Sequence, residues 1–169
     1  QKSGLQKISS KMSQINIQQD KYSKKESIVG VIITNPERTR FYLQKKDDTH
    51  PVLEFRNKYA FFGGLVEKEE EKEHALKREL EEEMEEEAAS IIEANINFLF
   101  EIVITRQQGP KKGTKVNYII FESVLPNNVL TDISKKPIKE GKSGEIIDLE
   151  NLPKFPLIYS LSQVLKRYL

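Results

Sequence analysis

The stretch from Tyr59 to about Glu86 constrains this chain more than any other. Tyr59-Ala60-Phe61-Phe62 has the composition of a short aromatic strand, and Gly63-Gly64 ends it. Adjacent glycines allow backbone angles barred to other residues and let a ligand or a neighbouring segment approach closely. Beyond them the apolar spacing predicts a helix from about Glu70 to about Glu86. With residues set about 100° apart around the axis, Glu79, Glu82, Glu83 and Glu86 share one stripe. Leu76, Leu80 and Met84 form an apolar stripe about a quarter-turn away. The pattern therefore predicts a helix that packs through Leu80 while its glutamates line a groove.

The acidity of the run is weak evidence by itself. Twelve of the 21 residues from Glu67 to Glu87 are Glu, and such a run commonly marks a solvated face. The other residues discriminate. Gly64 stands six positions before Glu70, and Arg78 is one of only four basic residues in the run. Crowded carboxylates repel one another, and a divalent cation relieves that repulsion. Hard oxygen donors suit Mg²⁺ or Mn²⁺, which share ligands with substrate phosphates. The layout suits metal chemistry on phosphates, with a nearby carboxylate to take a proton from water.

The remaining chain permits this. Its 169 residues suffice for one domain with a core, and the net charge of +1 argues against a nucleic-acid partner. There is no cysteine, so disulfides, thiolate metal sites and cysteine nucleophiles are excluded. That absence fits a reducing compartment, and no apolar run approaches the length of a membrane span. A cytoplasmic location is the expectation. The first residue is Gln, so a removed leader stays open.

Residues 1–24 are polar and form an expected N-terminal arm, in which Leu5, Ile8, Met12 and Ile15 permit one short helix. Ser27 to Thr34 is β-branched and nearly continuously apolar, as in a strand covered on both faces. Phe41 to Lys45 is the returning hairpin strand. Long strands are expected over Asn95–Thr105 and Lys115–Val124, joined by a Gly-Pro-containing loop. Pro126 to Gly144 is expected to be irregular, with a basic cluster at Lys135, Lys136, Lys139 and Lys142. Glu145 to Leu149 is expected as a short edge strand, and Pro156 to Leu169 as an amphipathic helix. The fold class that follows is α+β, or α/β with a mixed sheet between helices.

The acidic segment resembles the Nudix box, G-x5-E-x7-R-E-U-x-E-E-x-G-U with U bulky and aliphatic. The match runs from Gly64 through Glu83. Glu85 stands where the box has Gly, Glu86 where it has an aliphatic residue, and Glu69 where a glycine commonly precedes the first Glu. The hairpin 27–45, the Phe61-Phe62-Gly63-Gly64 entry, the strand ending at Glu122 and the closing strand and helix also resemble MutT-like members. The similarity covers about residues 25–169, the expected domain.

The resemblance implies an α/β/α sandwich and a hydrolase that splits the pyrophosphate linkage of a nucleoside diphosphate joined to another moiety. It implies Mg²⁺ (or Mn²⁺) held by the Gly63 carbonyl, Glu79, Glu82 and Glu83, with Glu122 as an additional ligand or base. Arg78 would fix a carboxylate of the box. Gly64 and Glu70 would support the loop and helix, and Lys45, Lys46 and Phe62 would meet substrate. Neither the proline of ADP-ribose hydrolases nor the tyrosine of diadenosine polyphosphate hydrolases lies between Glu86 and Gln108. Nucleoside triphosphates and nucleotide sugars both stay open. So does a Nudix-fold nucleotide-binding or regulatory module without turnover. A monomer or homodimer is expected.

Overall fold

The structure is a computed structural model that describes residues 26–169; the expected arm over 1–24 lies outside the described residues. Seven strands are present: β1 (Glu26–Thr34), β2 (Arg40–Lys45), β3 (Tyr59–Ala60), β4 (Phe62–Leu65), β5 (Ile96–Thr105), β6 (Lys115–Val124) and β7 (Ser143–Asp148). Among the described residues four α-helices accompany them: α1 (Lys72–Glu83), α2 (Glu86–Glu93), α3 (Asn127–Ser134) and α4 (Tyr159–Tyr168).

β1 is central because its side chains are apolar on both faces. It runs parallel to β6 over its whole length, from Glu26 opposite Val116 to Thr34 opposite Val124. Its other edge is divided. β4 pairs antiparallel with Ile28 to Val31, and β2 pairs only with Ile33 and Thr34. β2 then carries β7 along its length, and β5 closes the far edge on β6.

The period-2 alternation of β1 divides the core. Val29, Val31 and Ile33 pack with Leu76, Leu80 and Met84 of the α1 region, Ile92 of α2 and Leu130 of α3. Ile32 packs on the opposite face with Leu161, Val164 and Leu165 of α4. The result is an α+β fold in three layers, with α1 to α3 on one side of the sheet and α4 on the other.

Several boundaries differ from the sequence expectations. The Tyr59–Phe62 strand is not ended by the glycines: it breaks at Phe61, and Gly63 and Gly64 lie within β4, paired with β1. The acidic helix does not reach Glu86. Met84 is extended (φ −121°, ψ 162°), ends α1, and bridges to Ile138. A new helix, α2, starts beyond it, and Glu85 caps it by accepting from the amides of Glu87 (3.1 Å) and Ala88 (3.2 Å). Glu86 therefore leaves the carboxylate stripe. The segment after Pro126 is helical rather than irregular, because Leu130 and Ile133 both reach the core. β7 begins at Ser143, before the expected Glu145. The last helix begins at Tyr159, not Pro156: residues 156–158 bind the backbone of Tyr59 instead, at 2.9 Å from its amide to the Pro156 carbonyl and from the Ile158 amide to its own carbonyl.

Candidate active site

β4 and α1 build the site together. Gly63 sits opposite Gly30 of β1 at φ +147°, where a Cβ would lie 2.0 Å from the Val29 carbonyl oxygen. Only glycine fits there. At Gly64 a Cβ would stand 2.4 Å from the Glu79 carboxyl carbon. The bare backbone of β4 is thus what lets α1 press its carboxylates against the strand.

Arg78 ties the segment together. Its Nε and Nη2 donate to the two oxygens of Glu70, each at 2.9 Å, and Nη2 also donates to the Leu65 carbonyl at 2.9 Å. Nη1 donates to Glu79 at 2.9 Å and to Glu82 at 3.4 Å. The bidentate clamp fixes the loop before α1 to the helix itself. It holds the Glu70 carboxyl down at about 2, chiefly through the Arg78 hydrogen bonds and then through the Glu67 amide.

The three helix carboxylates have different surroundings. Glu83 is buried and accepts from the Gly63 amide (3.1 Å) and from Nε2 of Gln44 (3.3 Å). Burial pushes its carboxyl well above the ordinary carboxylate range, against the pull of Lys46. Glu79 is also pushed up by burial, with Arg78 opposing the shift. The Glu82 side chain is about half exposed, at 51%.

The donor chemistry fits a hard divalent cation. All the groups are oxygens on one face of a single helix, and a cation beside Glu83 would relieve its burial penalty. Among the described residues no three His, Asp or Glu side chains already converge on one point. Arg78 holds Glu79 and Glu82, while Glu83 turns toward Gly63.

A cleft of about 450 Å³ opens on the sheet face opposite α1 and meets the row at the Gly63–Gly64 backbone; Ile28, Phe61, Tyr118 and Tyr159 are among its lining residues. Phe61 and Tyr118 meet edge to face at 5.9 Å. A second, polar pocket of about 320 Å³ lies past the end of β2, and Lys46 and His50 line both cavities.

Several sequence-derived candidates lie elsewhere. Phe62 does not reach the cleft: it is fully buried between sheet and α1, against Tyr42, and its neighbour Phe61 lines the cleft instead. Strand alternation sends the two rings to opposite faces. The structure does not bring Glu122 to the α1 row. Its side chain leaves β6 on the α4 face, where Arg38 (3.2 and 3.3 Å) and the Tyr168 hydroxyl hold it. Lys45 places its ammonium 5.6 Å from the Tyr59 ring centre, whereas Lys46 reaches both cavities.

The acidic excess and the basic cluster explain each other. Lys136 pairs with Glu87 at 3.0 Å and Glu85 at 3.8 Å. Lys139 donates its amide to the Glu83 carbonyl (2.8 Å) and its ammonium to the Glu81 carbonyl (3.1 Å). This docking also brings Glu140 and Gln44 beside the site, two residues the sequence reading passed over. Glu140 carried no signal in the sequence. Gln44 could have been noticed as the lone amide of β2, next to the apolar run Phe41-Tyr42-Leu43.

The NUDIX domain family model matches residues 24–164, most of the chain. The chain belongs to the Nudix family. Its fold is similar to that of the NUDIX domain of Shewanella oneidensis NrtR, crystallised with ADP ribose, at TM-score 0.61 and 12% identity over 88% of this chain and 89% of that one. A MutT protein from Methanosarcina mazei Go1 aligns at TM-score 0.59 and 15% identity, over 86% and 94% of the two chains. The dihydroneopterin triphosphate pyrophosphohydrolase of E. coli aligns at TM-score 0.55 and 16% identity, over 84% and 93%. At these identities the likeness is one of fold. No curated protein sequence matches the chain. Among the described residues no helix is long and apolar enough to cross a membrane.

Proposed function

We propose that the chain is a metal-dependent hydrolase that splits the pyrophosphate linkage of a nucleoside diphosphate joined to a second moiety. One observation carries this reading: Glu79 and Glu83 are pressed against the Gly63–Gly64 backbone at the edge of a cleft large enough for a nucleoside. An acidic face exposed merely for solubility would not bury Glu83. Glu79, Glu82, Glu83 and the Gly63 carbonyl are the groups that would hold Mg²⁺ or Mn²⁺. Such an ion would offset phosphate charge and acidify the attacking water.

The chain's own residues do the rest. Arg78 orients Glu79, and Lys46 offers positive charge to a bridging phosphate where the two cavities meet. Glu79, made more basic by burial, takes the proton of the attacking water. The water oxygen bonds to phosphorus as the bridging P–O bond breaks, which leaves a nucleoside phosphate and a phosphorylated second moiety.

The alternative is a nucleotide-binding module without turnover, and the ADP-ribose bound to the NrtR domain keeps it open. A panel of nucleotides incubated with Mg²⁺, scored for phosphate, pyrophosphate and mononucleotide, separates the two. Hydrolysis is expected, and Glu82→Gln is expected to abolish it while the chain stays folded. Turnover surviving in that variant overturns the site assignment.

A further inference from the structure

We propose that the polar pocket past the end of β2 is the subsite for the second moiety, and that it selects a polyhydroxylated one. The substrate class is then a nucleoside diphosphate joined to a sugar, in preference to a nucleoside triphosphate. The proposal rests on the hydrolase reading above.

The pocket adjoins the carboxylate row. Gln44 donates through Nε2 both to Glu83 (3.3 Å) and to the Glu140 carbonyl (3.0 Å). The Lys139 amide is bound to the Glu83 carbonyl at 2.8 Å. Lys46 and His50 form the wall shared with the aromatic cleft. A substrate lying over that wall puts its base and ribose among apolar side chains, its phosphates at Lys46, and its second moiety in the pocket.

The hydrogen-bonding inventory then decides the class. Among the described residues no hydrogen bond or ion pair reaches the carboxylate of Asp47 or of Glu140, and both line the pocket. Carboxylates only accept, so their complement is a set of donors. The ammonium of Lys46 is already on Oε1 of Gln44 (2.9 Å), and that of Lys139 on the Glu81 carbonyl (3.1 Å). His50 accepts the Val52 amide on Nδ1 (3.0 Å), which leaves Nε2 as its ring donor. With Lys46 given to the bridging phosphates and Lys139 engaged, the pocket keeps two acids and one ring donor, a poor match for a terminal phosphate chain, which would face Asp47 and Glu140 with like charge. Sugar hydroxyls both donate and accept, and so can satisfy every group in turn.

One wall of the pocket is also anchored. The Lys142 amide binds the Lys45 carbonyl at 2.8 Å, and a Cβ on Gly141, at φ +88°, would stand 2.8 Å from the same oxygen. The backbone of the loop before β7, which carries Glu140, is therefore seated against β2.

The test measures kcat/KM with Mg²⁺ for ADP-ribose, UDP-glucose, ATP and dGTP on the full chain, on Asp47→Asn and on Glu140→Gln. At least one sugar nucleotide is expected to exceed both triphosphates by about tenfold or more. Each substitution is expected to lower that ratio about tenfold, by raising KM for the sugar nucleotide and easing repulsion of the triphosphate. A wild-type preference for triphosphates, or a ratio unchanged in both variants, overturns the pocket assignment. Failure to hydrolyse any nucleotide with Mg²⁺ or Mn²⁺ counts against the hydrolase reading instead. Calorimetric titration of ADP-ribose and ATP then still decides the pocket. Selective weakening of ADP-ribose in Asp47→Asn supports it, and equal or no weakening of the two overturns it.

Discussion

Glu83 and Glu69 each place an acid where a fold alone would not. Glu83 is 2% exposed, and its charged form loses water on folding. Glu83→Gln keeps the size and one acceptor for the Gly63 amide while removing the charge. Thermal unfolding is expected to show the variant as stable as the parent or more so, by about 1 kcal/mol, while Mg²⁺-dependent turnover falls more than about a hundredfold. Lower stability would place Glu83 among the structural groups. Glu69 has φ +64° without being glycine, in the short turn where the Glu70 amide binds the Glu67 carbonyl at 3.1 Å. Side chains with a Cβ are strained in that region. Glu69→Gly is expected to stabilise by about 0.5–1 kcal/mol, read from the urea midpoint at constant m. Glu85 tells the opposite story. It replaces a glycine of the box at φ −64°, an angle open to any residue, and it caps the helix that follows. The glycine was dispensable at that point because the chain turns there by an extended residue and a new N-cap.

At the scale of elements, the loop and helix behave as one clamp closed by Glu70 and Arg78. The folded Glu70 carboxyl lies at about 2, below its ordinary 4.5. A lowered acid adds stability above its unfolded value and loses it as pH falls through the folded one. The contribution is therefore complete above about pH 5 and vanishes by about pH 2. Denaturation of the parent and of Glu70→Gln is expected to differ at pH 7 and to converge as the pH approaches 2. A difference constant across that range would mean that packing, not charge, links the loop to the helix. The strands of this region were legible because period-2 apolar runs act locally, but the glycines do not turn the chain: they lie inside β4, where close approach to β1 and to Glu79 requires them. The helix end was less so. Turn-by-turn spacing carries Glu86 on to the same face as Glu79, but nothing local reports that Met84 will bridge to Ile138, 54 residues further on. Helix α3 was locally encoded by Leu130 and Ile133 and was obscured by the lysines that follow.

In the molecule as a whole, the sheet separates two acidic environments. The α1 face holds the carboxylate row, while the α4 face holds the aromatic cleft and, apart from it, Glu122 between Arg38 and Tyr168. Glu122→Gln is expected to weaken that link and to lower stability by about 1–2 kcal/mol, since both partners bind the charged form. Turnover per folded molecule is expected to stay within about threefold, whereas a loss as deep as that of Glu82→Gln would return Glu122 to the site. Residue order alone determined that a Gly-Gly strand enters an acidic amphipathic helix, that the core strands are covered on both faces, and that the family is Nudix. These are signals of spacing, carried by neighbours a few positions apart. Tertiary structure decided which carboxylates are buried, which face of β6 Glu122 leaves by, and that Glu140 and Gln44 stand beside Glu83. The reason is that burial and charge pairing depend on segments far apart in the chain, and only the packed sheet brings them together.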